Sequence, residues 1–348
     1  MAGTMSRIAA SGLGVLLLFG AGGGIASPPV DFKAAQARDA NIATLRRLLD
    51  QPEGQIDLAR AKVAIDHMVD PTVDMDGTLR QVDQWVAKIR SRFPPGATNK
   101  AKADVLVSTL YEPGPWNDRR PFGYDYADPY GRDIRKSLLS TYLATRKGQC
   151  VVMPTFVALL GQKLGLPMTL TTVPYHLVVK YGDEEQGAWT NLDATSGLFH
   201  DDSGYEQALN ISPVALKNEI FLRPYSQRES VALFAIAVLA PHYLKKGQPE
   251  EALQVLDLIL AVNPKDTVAM TLKANAYGLL VDQRFRSKYP KADHIPVAEQ
   301  AEFETYNSQI VAWRTKAEEL GWREWTKADW DKYLKHFNNE KAKDQGGT

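Results

Sequence analysis

The sequence predicts an α+β fold, with helices toward both ends of the chain and a small antiparallel sheet in the middle. Three observations lead there. Residues 40–89 carry apolar side chains at helical spacing. Two β-type runs, residues 176–181 and 188–194, flank the turn-forming hexapeptide Gly182-Asp183-Glu184-Glu185-Gln186-Gly187. From Ser230 onward helical periodicity returns with an internal repeat.

The first 26 residues read as an export signal. Arg7 gives the positive start, Leu13 to Phe19 the apolar centre, and Gly24-Ile25-Ala26 a small-residue cleavage site. Interruption by glycines makes this stretch a poor membrane span, and an uncleaved anchor is the alternative. The expected location is therefore outside the cytoplasm, periplasmic or secreted, with membrane attachment only if the signal stays on. Removing it takes Arg7 from an otherwise even balance of 41 basic and 41 acidic residues. No overall field draws such a chain to nucleic acid. The single cysteine, Cys150, allows no internal disulfide, so the core alone must hold the fold.

Residues 28–110 read as a helical region. Ile42, Leu45, Leu48 and Leu49 share one helical face, 57–65 repeats that spacing, and 79–89 forms a third segment that ends before Pro94-Pro95-Gly96. Residues 111–133 change character, with prolines at 113, 115, 121 and 129 among Tyr111, Trp116, Phe122, Tyr124, Tyr126 and Tyr130. Such a loop is either one wall of a cleft or aromatic surface packing.

A short helix at 137–145 precedes the segment that organises the rest. Gly148-Gln149-Cys150 opens an apolar run in which Pro154 is tolerated only near a helix start, which places Cys150 in the first helical turn. There the positive end of the helix favours a thiolate. A symmetric six-residue turn would set Tyr181 opposite Ala188 and His176 opposite Asp193, so the carboxylate could orient the imidazole and leave its other nitrogen for the thiol. Cys150, His176 and Asp193 are thus a candidate nucleophilic triad. Individually each has a plainer role: a small buried hydrophobe, a structural histidine, and a turn cap through Asp193-Ala194-Thr195. Gln149 is a candidate oxyanion donor, with Trp189 and Asn191 as candidate cleft residues. His200-Asp201-Asp202 is read as a turn, and no metal or other cofactor is expected.

These residues resemble a known family. Gly148-x-Cys150, Leu164-Gly165-Leu166-Pro167, His176 and Trp189-x-x-Leu192-Asp193-x-Thr195 resemble the signature of the transglutaminase-like superfamily of papain-related cysteine acyl-transfer enzymes. Ile56-Asp57-Leu58-Ala59-Arg60-Ala61 and Asp125-Tyr126-Ala127-Asp128-Pro129-Tyr130 are similar to its bacterial SirB-type branch, which adds helices before the core and tetratricopeptide repeats after it. The resemblance implies a papain/transglutaminase-like core at 111–225, with Cys150 as nucleophile, His176 as base and Asp193 as its orienting partner.

Beyond the core, Tyr243, Ala252, Leu256 and Pro264 sit at tetratricopeptide-like offsets, with Gly247 in the turn between paired helices. A second, degenerate unit begins at Val268. Residues 226–340 are therefore expected to be tetratricopeptide-like helices packed on the core, ending in a polar tail at 341–348. The function expected is cysteine-dependent hydrolysis or acyl transfer on a peptide or amide bond, with a peptide or protein substrate and a protein partner on the C-terminal helices. A noncatalytic module that uses the same cleft to hold a peptide is the alternative.

Overall fold

The computed structural model describes residues 32–128, 131–183, 187–195 and 197–346. The expected export signal, Pro129, Tyr130 and the hairpin residues 184–186 lie outside the described residues. Among the described residues, no helix is long and apolar enough to cross a membrane.

Four helices come first: α1 (Phe32–Leu49), α2 (Leu58–Val69), α3 (Met75–Ser91) and α4 (Asn99–Tyr111). Side-chain oxygens of Asp57, Asp74 and Thr98 accept the free N–H groups that open α2, α3 and α4. Leu45, Leu58, Val63, Ile65, Val82 and Ile89 are buried, which is the apolar stripe their spacing predicts.

Next, β1 (Gly123–Tyr124) pairs in parallel with β2 (Lys147–Gly148), matching Tyr124 to Gly148, and α5 (Leu139–Thr145) lies between them in sequence. This short ladder carries the aromatic loop to the residues just before Cys150. Helix α6 (Val152–Leu164) follows and is buried along most of its length. It ends at Gly165, whose φ of 72° and backbone bonds to Gln162 and from Leu166 to Gly161 make a left-handed cap.

A four-stranded antiparallel sheet, β3 (Met168–Val173), β4 (His176–Asp183), β5 (Ala188–Asp193) and β6 (Leu198–His200), is ordered as in the chain. Leu170, Leu177, Val179, Tyr181 and Leu192 share a core with α6, while Val173 and Val178 pack with Ile211, Ala215 and Phe221 on the opposite side. Alternation of side chains along each strand accounts for the division.

The expected β4–β5 register is corrected. Tyr181 lies opposite Thr190 and Asp183 opposite Ala188, so pairing continues two residues further than a six-residue turn allows. His176 is consequently not opposite Asp193. A slip of two preserves the face of every side chain, where a slip of one would have reversed it.

The chain then forms α7 (Asp202–Ala208), α8 (Pro213–Lys217), α9 (Gln227–Phe234), α10 (Ala240–Lys245), α11 (Pro249–Val262), α12 (Thr267–Val281), α13 (Val297–Glu319) and α14 (Lys327–Gly346). A π turn at Ala235–Leu239 joins α9 to α10, and Gly247, at φ 71°, turns α10 back into α11. Residues of α1 to α6, the sheet and α9 to α12 form one continuous hydrophobic cluster. Helices that precede the sheet in the chain and helices that follow it thus share one core.

Candidate active site

Cys150 is half-buried at the head of α6. The Met153 N–H donates to the Gln149 carbonyl, closing a helical turn around Cys150, while Pro154 has no N–H to offer the Cys150 carbonyl. The nucleophile candidate therefore stands in a first turn whose next backbone bond is missing. Beneath it, Phe122, Tyr142 and Phe156 make a tilted and edge-on ring cluster, with Gly148 pressed against it. A Cβ at Gly148 would lie 2.6 Å from the Tyr142 ring and 2.7 Å from Val152. Glycine is required by this approach.

His176 opens β4 after the tight turn Pro174-Tyr175, and Asp193 closes β5 at the same end of the sheet. His176 Nε2 is 3.7 Å from Asp193 Oδ1, an ion-pair distance slightly long for a hydrogen bond. Its other ring nitrogen is thereby left for Cys150, with which the imidazole also interacts. Burial opposes charge on His176, but the Asp193 and Cys150 side chains outweigh it and raise the imidazole to about 10. Burial likewise opposes charge on Asp193, yet His176 and Thr195 hold its carboxyl well below the usual range. The arrangement favours an imidazolium beside an ionised aspartate.

Asp193 has two duties at one atom. Its Oδ1 accepts from the Thr195 N–H at 2.8 Å and the Thr195 hydroxyl at 2.6 Å, and the same oxygen faces His176. The turn cap is present, and the capping oxygen is the one within ion-pair distance of the imidazole. Tyr205 of α7 also approaches this carboxylate; burial and the aspartate's charge raise its phenol.

The other candidates have other positions. The Gln149 amide is buried and donates to the Asp128 carbonyl, so it braces the loop before β2. Asn191 is buried and its amide donates to the His200 carbonyl at 3.1 Å and to Asp202 at 2.6 Å, tying β5 to β6 and α7. Trp189 pairs with Gly182 near the distant end of the hairpin, four residues or roughly 13 Å along the strand from Asp193. Trp189 and Asn191, the expected cleft residues, thus stand at these two positions of β5. Asp202, in the segment read as a turn, opens α7 and also binds the buried Lys180 at 2.5 Å. Among the described residues no group of three or more His, Cys, Asp or Glu side chains is arranged to hold a metal ion.

Sequence reasoning missed the aromatic residues that surround the pair. A narrow cleft at His176 runs between the Pro174-Tyr175 turn and the C-terminal segment, lined by Val173, Tyr175, Ile211, Phe221, Trp322 and Trp325. Tyr124 lies close enough to Cys150 to feel its charge, and the Tyr333 hydroxyl hydrogen-bonds to the Tyr124 hydroxyl. Pairing of Tyr124 with Gly148, two residues before the cysteine, explains the proximity. The tryptophans were visible as packing residues, but their separation of about 150 residues from His176 concealed the contact.

Residues 77–233, from α3 to α9, match the family model described as the transglutaminase-like superfamily. The chain carries a transglutaminase-like domain. That domain contains Cys150, His176 and Asp193. No curated protein matches the chain. Among solved structures, the crystal structure of menin that reveals its binding site for Mixed Lineage Leukemia (MLL) protein is similar at 14% identity and a TM-score of 0.49, covering 85% of this chain and 73% of that one.

Proposed function

We propose that the transglutaminase-like domain is a cysteine-dependent acyl-transfer site acting on peptide or amide bonds. The observation that carries this reading is the approach of His176 to both Cys150 and Asp193. Cys150 Sγ attacks the carbonyl carbon and forms a C–S bond; His176 gives its proton to the leaving amine as the C–N bond breaks. Water or a second amine then attacks the thioester carbon and gives a proton to His176 as the C–S bond breaks, which releases the acyl product and returns the sulfur as thiolate beside the imidazolium. Asp193 holds the imidazole and stabilises its charged form. Attack by water makes the protein a hydrolase and attack by an amine makes it a transferase.

The reading extends to the SirB-type branch and to tetratricopeptide-like C-terminal helices that engage a protein partner. Supporting it are the paired helices α10 and α11 around left-handed Gly247, followed by α12 packed on α11. It also includes export through residues 1–26, checked by intact mass and N-terminal sequencing of the protein from its native host.

The deciding experiment is the rate of Cys150 alkylation by iodoacetamide across pH, in the wild type and in His176→Ala. Fast wild-type reaction well below the ordinary thiol value of about 8.5, lost in the variant, is the expected result. Identical profiles overturn the proposal.

A further inference from the structure

The C-terminal segment bears on the site in two independent ways. Trp325, Trp330 and Tyr333 form an aromatic cluster, with Trp325 4.9 Å from Trp330 and Tyr333 within 6 Å of both by ring centroids. Tyr175, the neighbour of His176, packs into that cluster at 4.2 Å from Trp325 and 5.4 Å from Trp330. The Trp325 N–H donates to the Tyr175 hydroxyl at 3.2 Å. Further along α14, Tyr333 reaches Tyr124 beside the thiol. One short stretch of chain therefore touches the histidine side and the cysteine side of the site together.

Tyr175 itself is held at an energetic cost. It has φ 59° at the third position of a turn whose second position is Pro174, the type II pattern that glycine or asparagine usually completes. A tyrosine there costs about 1–2 kcal/mol relative to an unstrained residue. The side chain that incurs this cost has its ring packed at a 42° tilt against Trp325 and its hydroxyl bonded to the same residue. Strain beside a reactive group, offset by contacts to a distant segment, is characteristic of a switch region.

The attachment of α14 is localised and polar at its start. Arg323 binds Asp329 at 2.8 Å, the Thr326 N–H and hydroxyl both donate to Asp329 at 2.8 Å, and the Asp329 N–H donates back to Thr326. Lys332 donates to the Ala208 carbonyl at the end of α7. Residues 327 and 328, 331 and 332, and 335 are exposed. Such an element has few buried contacts of its own and can leave without opening the main core.

We propose that the segment from Trp322 to Tyr333 is a latch that closes the cleft at His176 and, through Tyr333 on Tyr124, covers the flank of Cys150, so that displacement of α14 admits a bulky substrate. The proposal rests on the acyl-transfer reading for its purpose, but its geometry does not depend on that chemistry. In the closed arrangement Tyr333 occupies the Tyr124 hydroxyl, and the aromatic cluster stands where an extended peptide would approach His176. Opening frees both together.

Because Cys150 is the sole cysteine, thiol labelling reports this site alone. Iodoacetamide and fluorescein maleimide are compared on the full chain, on Trp330→Ala/Tyr333→Ala, and on Asp329→Ala, which breaks the cap and ion pair at the start of α14 while keeping every cleft-lining side chain. The expected result is a rise of about tenfold or more in the maleimide rate relative to iodoacetamide in both variants, as the open fraction grows. Thermal denaturation of each variant identifies any that is globally unfolded, and then the other variant decides. An unchanged ratio in the folded variants overturns the latch. Combining each variant with His176→Ala separates the two readings: faster maleimide labelling that is indifferent to His176 keeps the latch and removes the acyl-transfer chemistry.

Discussion

His176 Nε2 approaches Asp193 Oδ1 to 3.7 Å although the two residues are staggered across the β4–β5 ladder. Asp193 falls opposite Val178 when the pairing is continued, so the contact runs diagonally between side chains on one face. The stagger leaves room for Thr195 to clamp the same oxygen. It also fixes the sign of the pH dependence.

Protonation of His176 is favoured by folding, because the imidazole rises from an ordinary 6.5 to about 10. Its stabilisation is complete below about pH 6.5 and is lost as pH climbs toward 10. The depressed Asp193 acts in the other direction: its stabilisation is present above the ordinary 3.8 and is lost as pH falls through the lower folded value. Denaturant midpoints measured from pH 4 to 10 are expected to fall on the alkaline side in the wild type. In His176→Gln that fall is reduced.

Thr195→Val removes the hydroxyl donor to Asp193 while preserving the backbone N–H. Loss of one charge-assisted hydrogen bond corresponds to about 1.5–3 kcal/mol, shared between fold and site. The expected outcome is a lower melting temperature and slower Cys150 alkylation near neutral pH. An unchanged rate would separate the turn from the orientation of His176.

Gly148→Ala drives a methyl group into Tyr142 and Val152. Overpacking at such a site costs about 1–3 kcal/mol. Since Gly148 also pairs with Tyr124, the variant is expected to displace Cys150 and reduce its alkylation more than its stability loss explains. Chemical denaturation and labelling on the same samples check this.

A buried ion pair supports the other side of the nucleophile loop. Lys62 pairs with Asp66 inside α2 and donates to the Ser137 carbonyl, while Asp66 accepts from the Leu139 N–H at the start of α5. Lys62→Met leaves the carboxylate buried and unpaired, with an expected loss of about 3–5 kcal/mol. Adding Asp66→Asn is expected to recover part of it, since the amide oxygen can still accept from Leu139. Urea titrations of the single and double variants measure both steps.

The α+β class, the first three helices and the helix after Cys150 were legible because each follows from periodicity or from a proline's restricted place. The edge strands β3 and β6 were less so. β3, Met168-Thr169-Leu170-Thr171-Thr172-Val173, is half threonine and alternates only over its first four residues, and β6 has only three residues. The hairpin partners were legible and their register was not: composition marks a turn but does not count the residues that close it. Cys150, His176 and Asp193 could be singled out because spacing placed them on neighbouring elements. Tyr175 could not, since its role depends on a backbone angle and on a tryptophan far along the chain. The surroundings of Asn191 and Trp189 were not legible, because proximity in sequence to Asp193 says little about what lies within reach across a sheet.

The first helix finds its partners very late. Asn41 donates to the Tyr243 hydroxyl across 202 residues, and Arg38 pairs with Glu251 as α1 packs against α9 and α11. At ordinary translation speeds that separation is roughly 10–40 seconds of synthesis. During that interval α1 can meet α2, through Asn41 and the Met68 carbonyl, but not α9 or α11, and the long loop that must eventually close lowers the rate of that later pairing. A nascent chain that ends before Gln227 lacks α9 and α11, so the closing of α1 onto them waits until Val262 has been made.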